Sequence, residues 1–238
     1  MGHLTDGVLV TNLVLAALIL VAQAAVWGGH GWRPRWLASI GGGVRWAWLL
    51  TSYLVCLLVM LIVDAALLAF DGGLTWRPQS QAGLYVVIVL ATTPLQAAGE
   101  EYLFRGWMAQ AIGAWIPRAG VGAGVAALVS SSLFALAHGQ QDPWLFADRF
   151  VFGLAASWLV WRTGGLEASI AMHGANNLIA FAYSVASGQL AEMLDATSSS
   201  PESFLVDLVL IVLTAVLLDR LARRRALPRL FHPPMRAW

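Results

Sequence analysis

The sequence predicts an all-α fold, a polytopic membrane bundle of about seven transmembrane helices with a central polar site. Hydrophobic residues make up 59% of the 238 residues and charged residues only 11%, whereas soluble domains carry about 25% charged residues. Several apolar runs also approach or exceed the roughly 20 residues that a helix needs to cross a bilayer. We therefore expect one integral-membrane domain over residues 1–238, multi-pass in the cell membrane.

The predicted spans follow the apolar runs in chain order. They cover residues 8–27, 44–70, 84–112, 121–138, 144–161, 166–186 and 204–218, with glycine- and proline-rich turns between them. The third span contains Pro94, which is expected to kink it because proline removes one backbone hydrogen bond from a helix. Two carboxylates, Glu167 and Asp207, lie close enough to span ends to be solvated.

The arginines indicate how the spans are oriented. The chain has arginine but no lysine, which is typical of a GC-rich bacterial genome. Alternate loops hold Arg33, Arg35, Arg118 and Arg162, and the arginine-rich tail falls on the same side, whereas the opposite side holds only Arg77. The positive-inside rule therefore predicts a cytoplasmic C-terminus. No basic stripe lies outside the tail, so no nucleic-acid partner is expected.

Three charges occur together inside the third apolar span, at Glu100, Glu101 and Arg105. A charge at bilayer depth costs about 2.5–3.5 kcal/mol on insertion scales, so adjacent glutamates there need a reason. Glu101 and Arg105 are four residues apart and share one helix face, which favours an ion pair. Glu100 points about 100° away and is left to face a cavity. A purely structural cluster is the alternative for this helix alone.

Further polar residues lie on other spans, at His138, His173 and Asn177. Each alone is commonly structural, as a hydrogen bond between helices. Together with Glu100 they form a set that fits amide hydrolysis, since a carboxylate and an imidazole can deprotonate water. An imidazole and an amide can donate to the oxyanion that forms. The same groups could instead bind zinc or iron, although neither histidine lies in an HExxH arrangement.

The three motifs resemble a known family. Glu100-Glu101-x-x-x-Arg105, Phe134-x-x-x-His138 and His173-x-x-x-Asn177 are similar to those of the CPBP (CAAX protease, Abi) intramembrane proteases. That family takes in the eukaryotic CAAX prenyl endopeptidase and bacterial proteins linked to bacteriocin processing or immunity. Phe104-Arg105-Gly106 and Thr163-Gly164-Gly165-Leu166 also resemble the residues that frame the family motifs.

The resemblance implies a glutamate-dependent intramembrane endopeptidase with a motif-bearing core over about residues 84–186. Glu100 and His138 would activate the water. His173 and Asn177 would stabilise the oxyanion, and Glu101 with Arg105 would support the site. No cofactor is implied, and the substrate is expected to be a peptide or a membrane protein in contact with the lipid bilayer. The prenylated substrate of the eukaryotic family members is not expected for this chain.

Two alternatives stay open at this point. A non-proteolytic membrane scaffold or bacteriocin immunity factor could keep the same helices for packing. A metal-dependent hydrolase could use zinc or another divalent metal at the same histidines and carboxylate. The substrate sequence and the oligomeric state are not predicted.

The proposed site requires Glu100 and His138 to lie close together, although they lie far along their predicted spans. At a rise of 1.5 Å per residue, Glu100 lies roughly 18 Å from the end of the third span, and His138 roughly 27 Å from the start of the fourth. Straight helices with these boundaries would keep the two side chains apart. We therefore expect a bent or broken third span, or different boundaries for the fourth.

Overall fold

A computed structural model describes residues 2–31, 33–70 and 72–229, and this part of the chain is helical without any β-strand. The predicted all-α bundle is confirmed. A π-helix, Tyr102–Met108, joins α4 to α5 without a break. The α-helices are α1 Gly2–Ala16, α2 Leu18–His30, α3 Trp46–Phe70, α4 Ala82–Glu101, α5 Ala109–Gly113, α6 Ala119–Leu136, α7 Pro143–Thr163, α8 Glu167–Ser187, α9 Leu190–Leu194 and α10 Pro201–Arg224.

Five helical segments are long and apolar enough to cross a membrane, as judged by length and composition in the described residues. They correspond to the first five predicted spans: Gly7–Gly29, Trp46–Phe70, Ala82–Gly113, Ala119–Leu136 and Pro143–Thr163. Helices α8 and α10 occupy the positions of the sixth and seventh predicted spans and contain 21 and 24 residues. The predicted end of the fourth span is wrong by two residues, because α6 ends at Leu136 and His138 lies in the turn beyond it.

Helix α8 is at the centre of the bundle, packed against α3, α4 and α7. Its first half is buried without interruption over residues 165–175 when the preceding turn is included. Helix α1 packs against α4, and α6 and α10 pack against α7. A polar side chain on the first half of α8 is therefore enclosed by other helices rather than by lipid.

Helix α1 lies directly against the helix that carries the glutamates. Asn12 donates hydrogen bonds to the hydroxyl oxygens of Thr92 at 2.8 Å and Thr93 at 3.1 Å. Near the end of α4, Gly99 lies so close to α1 that a β-carbon there would overlap the backbone carbonyl oxygen of Leu15. The contact requires glycine because no side chain separates the two backbones.

The first residue of α8 forms an ion pair with the residue that precedes α3. Arg45 donates from its backbone N–H and from Nε to Oε1 of Glu167, both at 2.9 Å, and from Nη2 to Oε2 at 2.6 Å. Glu167 is only 1% exposed, so the expectation that it is solvated is wrong. A paired and hydrogen-bonded carboxylate can be buried in this way, whereas an unpaired one would be costly.

A substitution at Gly99 tests the close contact between α1 and α4. Gly99→Ala is expected to lower the free energy of unfolding by about 1–3 kcal/mol, because the β-carbon forces the backbones apart. The measurement is thermal unfolding of the detergent-purified protein. Gly83→Ala in the same helix is the control, since no atom lies within 4 Å of its β-carbon position. Equal unfolding midpoints for both variants would contradict the contact.

Candidate active site

Both glutamates are buried at the end of α4, immediately before the π-helix. Glu100 is 6% exposed and Glu101 is fully buried. A π-helix is rare and is frequently found at functional sites. Arg105 lies within this π-helix, and its Nη1 still donates to Oε1 of Glu101 at 3.0 Å. The charged motif is thus a buried structure in which the two adjacent carboxylates have different surroundings.

Glu101 is shared between Arg105 and His173. The Nδ1 atom of His173 donates to the same Oε1 atom at 2.9 Å. The guanidinium of Arg105 also lies over the ring of Phe134, 4.1 Å from its centroid. Among the described residues, Nε and Nη2 of Arg105 have no hydrogen-bond partner. The Glu101 carboxylate therefore links the π-helix to the middle of α8, and the aromatic ring covers its counter-ion.

The two histidines each have Nδ1 fixed by an oxygen acceptor. In His138, Nδ1 donates to the backbone carbonyl of Phe134 at 2.8 Å, as His173 donates to Glu101. A carbonyl or carboxylate oxygen can only accept, so the proton is on Nδ1 in both rings. The Nε2 atom of each neutral ring is then an acceptor. The Nε2 atom of His173 lies 3.9 Å from Oε2 of Glu100.

Phe134 separates and orients the two imidazoles. Its ring meets His138 at a centroid distance of 4.8 Å and His173 at 5.7 Å, edge to face in both cases. Phe152 also packs against His173, at a centroid distance of 5.2 Å. Edge-to-face contacts of this kind stabilise aromatic rings in one orientation. The motif residue Phe134 thus contacts both histidines as well as the arginine.

Three of the four predicted catalytic residues line one cavity of about 400 Å³, namely Glu100, His138 and Asn177. His173 reaches Glu100 from beside this cavity. His138 is exposed in the turn after α6, at a position that straight spans with the predicted boundaries would not bring to Glu100. The remaining lining is largely apolar and comes from α1, α2, α4, the π-helix, the turn after α6 and α8, with Thr11, Asn12, Leu15, Leu18, Gln96, Leu103, Phe104, Ala137 and Phe181.

Sequence analysis missed Gln96 and Asn12 at this cavity. Gln96 donates from Nε2 to Oε1 of Glu100 at 2.5 Å and accepts at Oε1 from Nδ2 of Asn177 at 3.0 Å. The available signal was its spacing of four residues before Glu100 within an apolar helix. Asn12 gave a weaker signal, as one of the few polar residues in the first span.

A second cavity, of about 530 Å³, lies between α3, α8 and α10 and contains none of the predicted site residues. Its walls include Met60, Leu210 and the carboxylates Asp64 and Asp207. Although it is larger, the residues with hydrolytic chemistry converge on the first cavity. We therefore assign the candidate site to the cavity beside Glu100.

Metal binding remains a separate hypothesis. Within the described residues, no group of three or more His, Cys, Asp and Glu side chains is arranged to hold a metal ion. The zinc alternative thus stays a prediction for a chelation experiment.

Comparison with known families bears directly on this site. Residues 82–179 match the family model of the type II CAAX prenyl endopeptidase Rce1-like proteins. The predicted family resemblance is confirmed. The match includes all six predicted site residues and leaves residues 1–81 and 180–238 outside it. No curated protein and no solved structure matched the chain.

The family match supports the general class of CAAX-type intramembrane endopeptidase, and with it a location in the membrane. It also supports a peptide or membrane-associated substrate.

The buried ion pair gives a test of what holds the site together. Arg105→Met is expected to lower the free energy of unfolding by about 3–5 kcal/mol, because it leaves the Glu101 carboxylate buried without its cation. Thermal unfolding in detergent measures the loss. The exposed Arg224→Met variant is the control for removing an arginine. Stability equal to that of the control would show that Glu101 does not depend on Arg105.

Proposed function

We propose that this protein is a glutamate-dependent intramembrane endopeptidase that hydrolyses a peptide bond of a membrane-associated substrate. The observation that carries the proposal is the convergence of Glu100, His138 and Asn177 on one cavity in an otherwise apolar bundle. His173 extends this set through its approach to Glu100. These groups come from α4, from the turn after α6 and from α8, so their convergence does not follow from local spacing.

Glu100 and His138 supply the acceptors that activate a water. Both line the cavity, and the Nε2 atom of neutral His138 is available because Nδ1 is committed to the Phe134 carbonyl. A water between them loses a proton to this pair as its oxygen forms a bond to the substrate carbonyl carbon. The carbon–nitrogen bond then breaks, and the proton passes to the leaving amine. No covalent enzyme intermediate is needed.

Asn177 and His173 are the donors to the oxyanion. One N–H of the Asn177 amide is used by Gln96, which leaves its second N–H for the substrate oxygen. His173 already donates from Nδ1 to Glu101, so Nε2 donates only when the ring is doubly protonated. Glu101 then provides the charge that balances the imidazolium. Fixed donors of this kind stabilise charge that develops in the transition state.

The shape and lining of the cavity indicate the kind of substrate. A volume of about 400 Å³ accommodates a short peptide segment and falls in the range of typical ligand pockets. Leu15, Leu18 and Phe181 present apolar surface close to Glu100. We propose that apolar side chains flank the cleaved bond. We also propose a cytoplasmic C-terminus, which the arginine distribution supports.

Substitution of Glu100 tests the proposal. Glu100→Gln and His138→Ala are each expected to lower the cleavage rate by about 10²–10⁴-fold, the contribution typical of a positioned acid or base. Quantitative membrane proteomics of the variant strains should reveal an uncleaved precursor that wild type processes. Glu192→Gln, at an exposed glutamate, is the matched control and should process normally. Undiminished cleavage by a folded Glu100→Gln protein would sink the glutamate-dependent mechanism.

Two further measurements separate the alternatives. Purified protein should keep its activity in the presence of a chelator, and loss of activity that zinc restores would favour the metal-dependent hydrolase. The cellular phenotype should be lost when alanine replaces Glu100, His138 and His173 together. An intact phenotype in that variant would favour a non-proteolytic scaffold.

A further inference from the structure

We propose that Gln96 is a positioning residue that holds the general base and the oxyanion donor in register. This inference rests on the proposed function. It concerns a residue outside the three motifs, one helical turn before Glu100 on α4. Its side-chain amide contacts a residue of α4 on one side and a residue of α8 on the other.

The hydrogen bonds around Gln96 allow one arrangement of its amide. A carboxylate can only accept, so the Nε2 group of Gln96 faces Glu100 and its Oε1 atom faces Asn177. Asn177 must then turn its Nδ2 group toward Gln96 and its Oδ1 atom away. In agreement, Oδ1 of Asn177 accepts from Nδ2 of Asn176 at 3.5 Å. Each amide in this chain of side chains therefore has a defined orientation.

This arrangement decides which atoms remain for the reaction. Oε1 of Glu100 is occupied by Gln96, so Oε2, the atom nearest Nε2 of His173, is left to accept from water. One N–H of Asn177 is likewise occupied, and the other is left for the oxyanion. Gln96 itself is only 6% exposed, so water cannot readily replace it. A single side chain thus sets the direction of both reacting groups.

The position of Gln96 is not required to hold α4 against α8. Glu101 and His173 already join these helices with a buried hydrogen bond at 2.9 Å. Apolar packing further along the helices joins them as well, since Leu178 and Phe181 of α8 pack against a cluster that contains Val89 of α4. Loss of the Gln96 amide is therefore expected to affect catalysis while the fold persists.

The test compares Gln96→Met with Gln110→Met. Methionine keeps the length of glutamine but makes neither hydrogen bond, and Gln110 is an exposed glutamine on α5, in the same continuous helical segment. The substrate is a synthetic peptide that spans the cleavage site found with the Glu100→Gln strain, added to purified protein in detergent. Gln96→Met should lower kcat by about 10–100-fold, as expected for loss of a hydrogen bond to a charged group. KM should change by less than about 3-fold, because the lost interaction acts on the reacting groups. Gln110→Met should behave as wild type.

Two more measurements distinguish positioning from a structural role. The unfolding midpoint of Gln96→Met should equal that of Gln110→Met, and kcat should be calculated per folded molecule. In an Asn177→Ala background, Gln96→Met should have a smaller effect on kcat than in wild type, because one of its two arms is already lost. Gln96→Glu keeps the acceptor for Asn177 but cannot donate to Glu100 when ionised, and it should be at least as slow as Gln96→Met.

The outcomes separate this inference from the proposed function. If wild type cleaves, Glu100→Gln does not, and Gln96→Met matches wild type in kcat, the positioning role is overturned while the protease stands. A rise in KM with unchanged kcat, or a loss of activity explained entirely by unfolded protein, also overturns it. If wild type and Glu100→Gln behave alike, the proposed function fails and the positioning role falls with it.

Discussion

A carboxylate buried among apolar helices is stable only with a nearby cation and filled hydrogen bonds, and Glu101 imposes this requirement on the site. Arg105 donates to its Oε1 atom from the π-helix, and His173 donates to the same atom from α8. Arg105 also restricts how α7 packs, since a β-carbon at Gly153 would lie 2.9 Å from the Nη2 atom of Arg105 and 2.8 Å from Cβ of Ser131. Helix α7 can therefore approach only through a glycine. The packing of α7, α8 and the π-helix around one ionised side chain fixes the orientation of His173.

The two adjacent glutamates have different hydrogen-bond partners. Glu101 faces inward to charged partners, whereas Glu100 faces the cavity and is held by the neutral amide of Gln96. Two parallel connections thus join α4 to α8, one from Glu101 to His173 and one from Glu100 through Gln96 to Asn177. The positions that meet across the two helices are five residues apart on α4, at Gln96 and Glu101, and four residues apart on α8, so each connection supports the register of the other. The four-residue spacing of His173 and Asn177 thus places one residue of α8 in each connection.

Local spacing within one helix was enough to predict part of this site. The ion pair of Glu101 and Arg105 follows from their separation by four residues, and the helical fold follows from composition. The bond between His173 and Glu101 could not be predicted, because it depends on the relative register of two helices. Gln96 is uncharged, so its burial carries no obvious cost that would mark it in the sequence. Glu167 was misjudged for a related reason. Its nearness to a span end suggested solvent, but Arg45 comes from a distant part of the chain and encloses it.

The cavity is completed by a helix that lies outside the family match. Residues 82–179 contain all the groups proposed to act on the peptide bond, whereas α1 supplies Thr11, Asn12 and Leu15 to the lining and α2 supplies Leu18. Helix α1 is attached to α4 by the bonds from Asn12 to Thr92 and Thr93, and by the close contact at Gly99. These contacts hold α1 against α4, although the side chains of α1 take no part in the proposed hydrolysis. Under the proposed function, part of the surface that faces the substrate therefore lies outside the residues that carry the reaction. The side chains of α1 can alter the shape of the cavity without disturbing the hydrogen bonds that hold Glu100, His173 and Asn177.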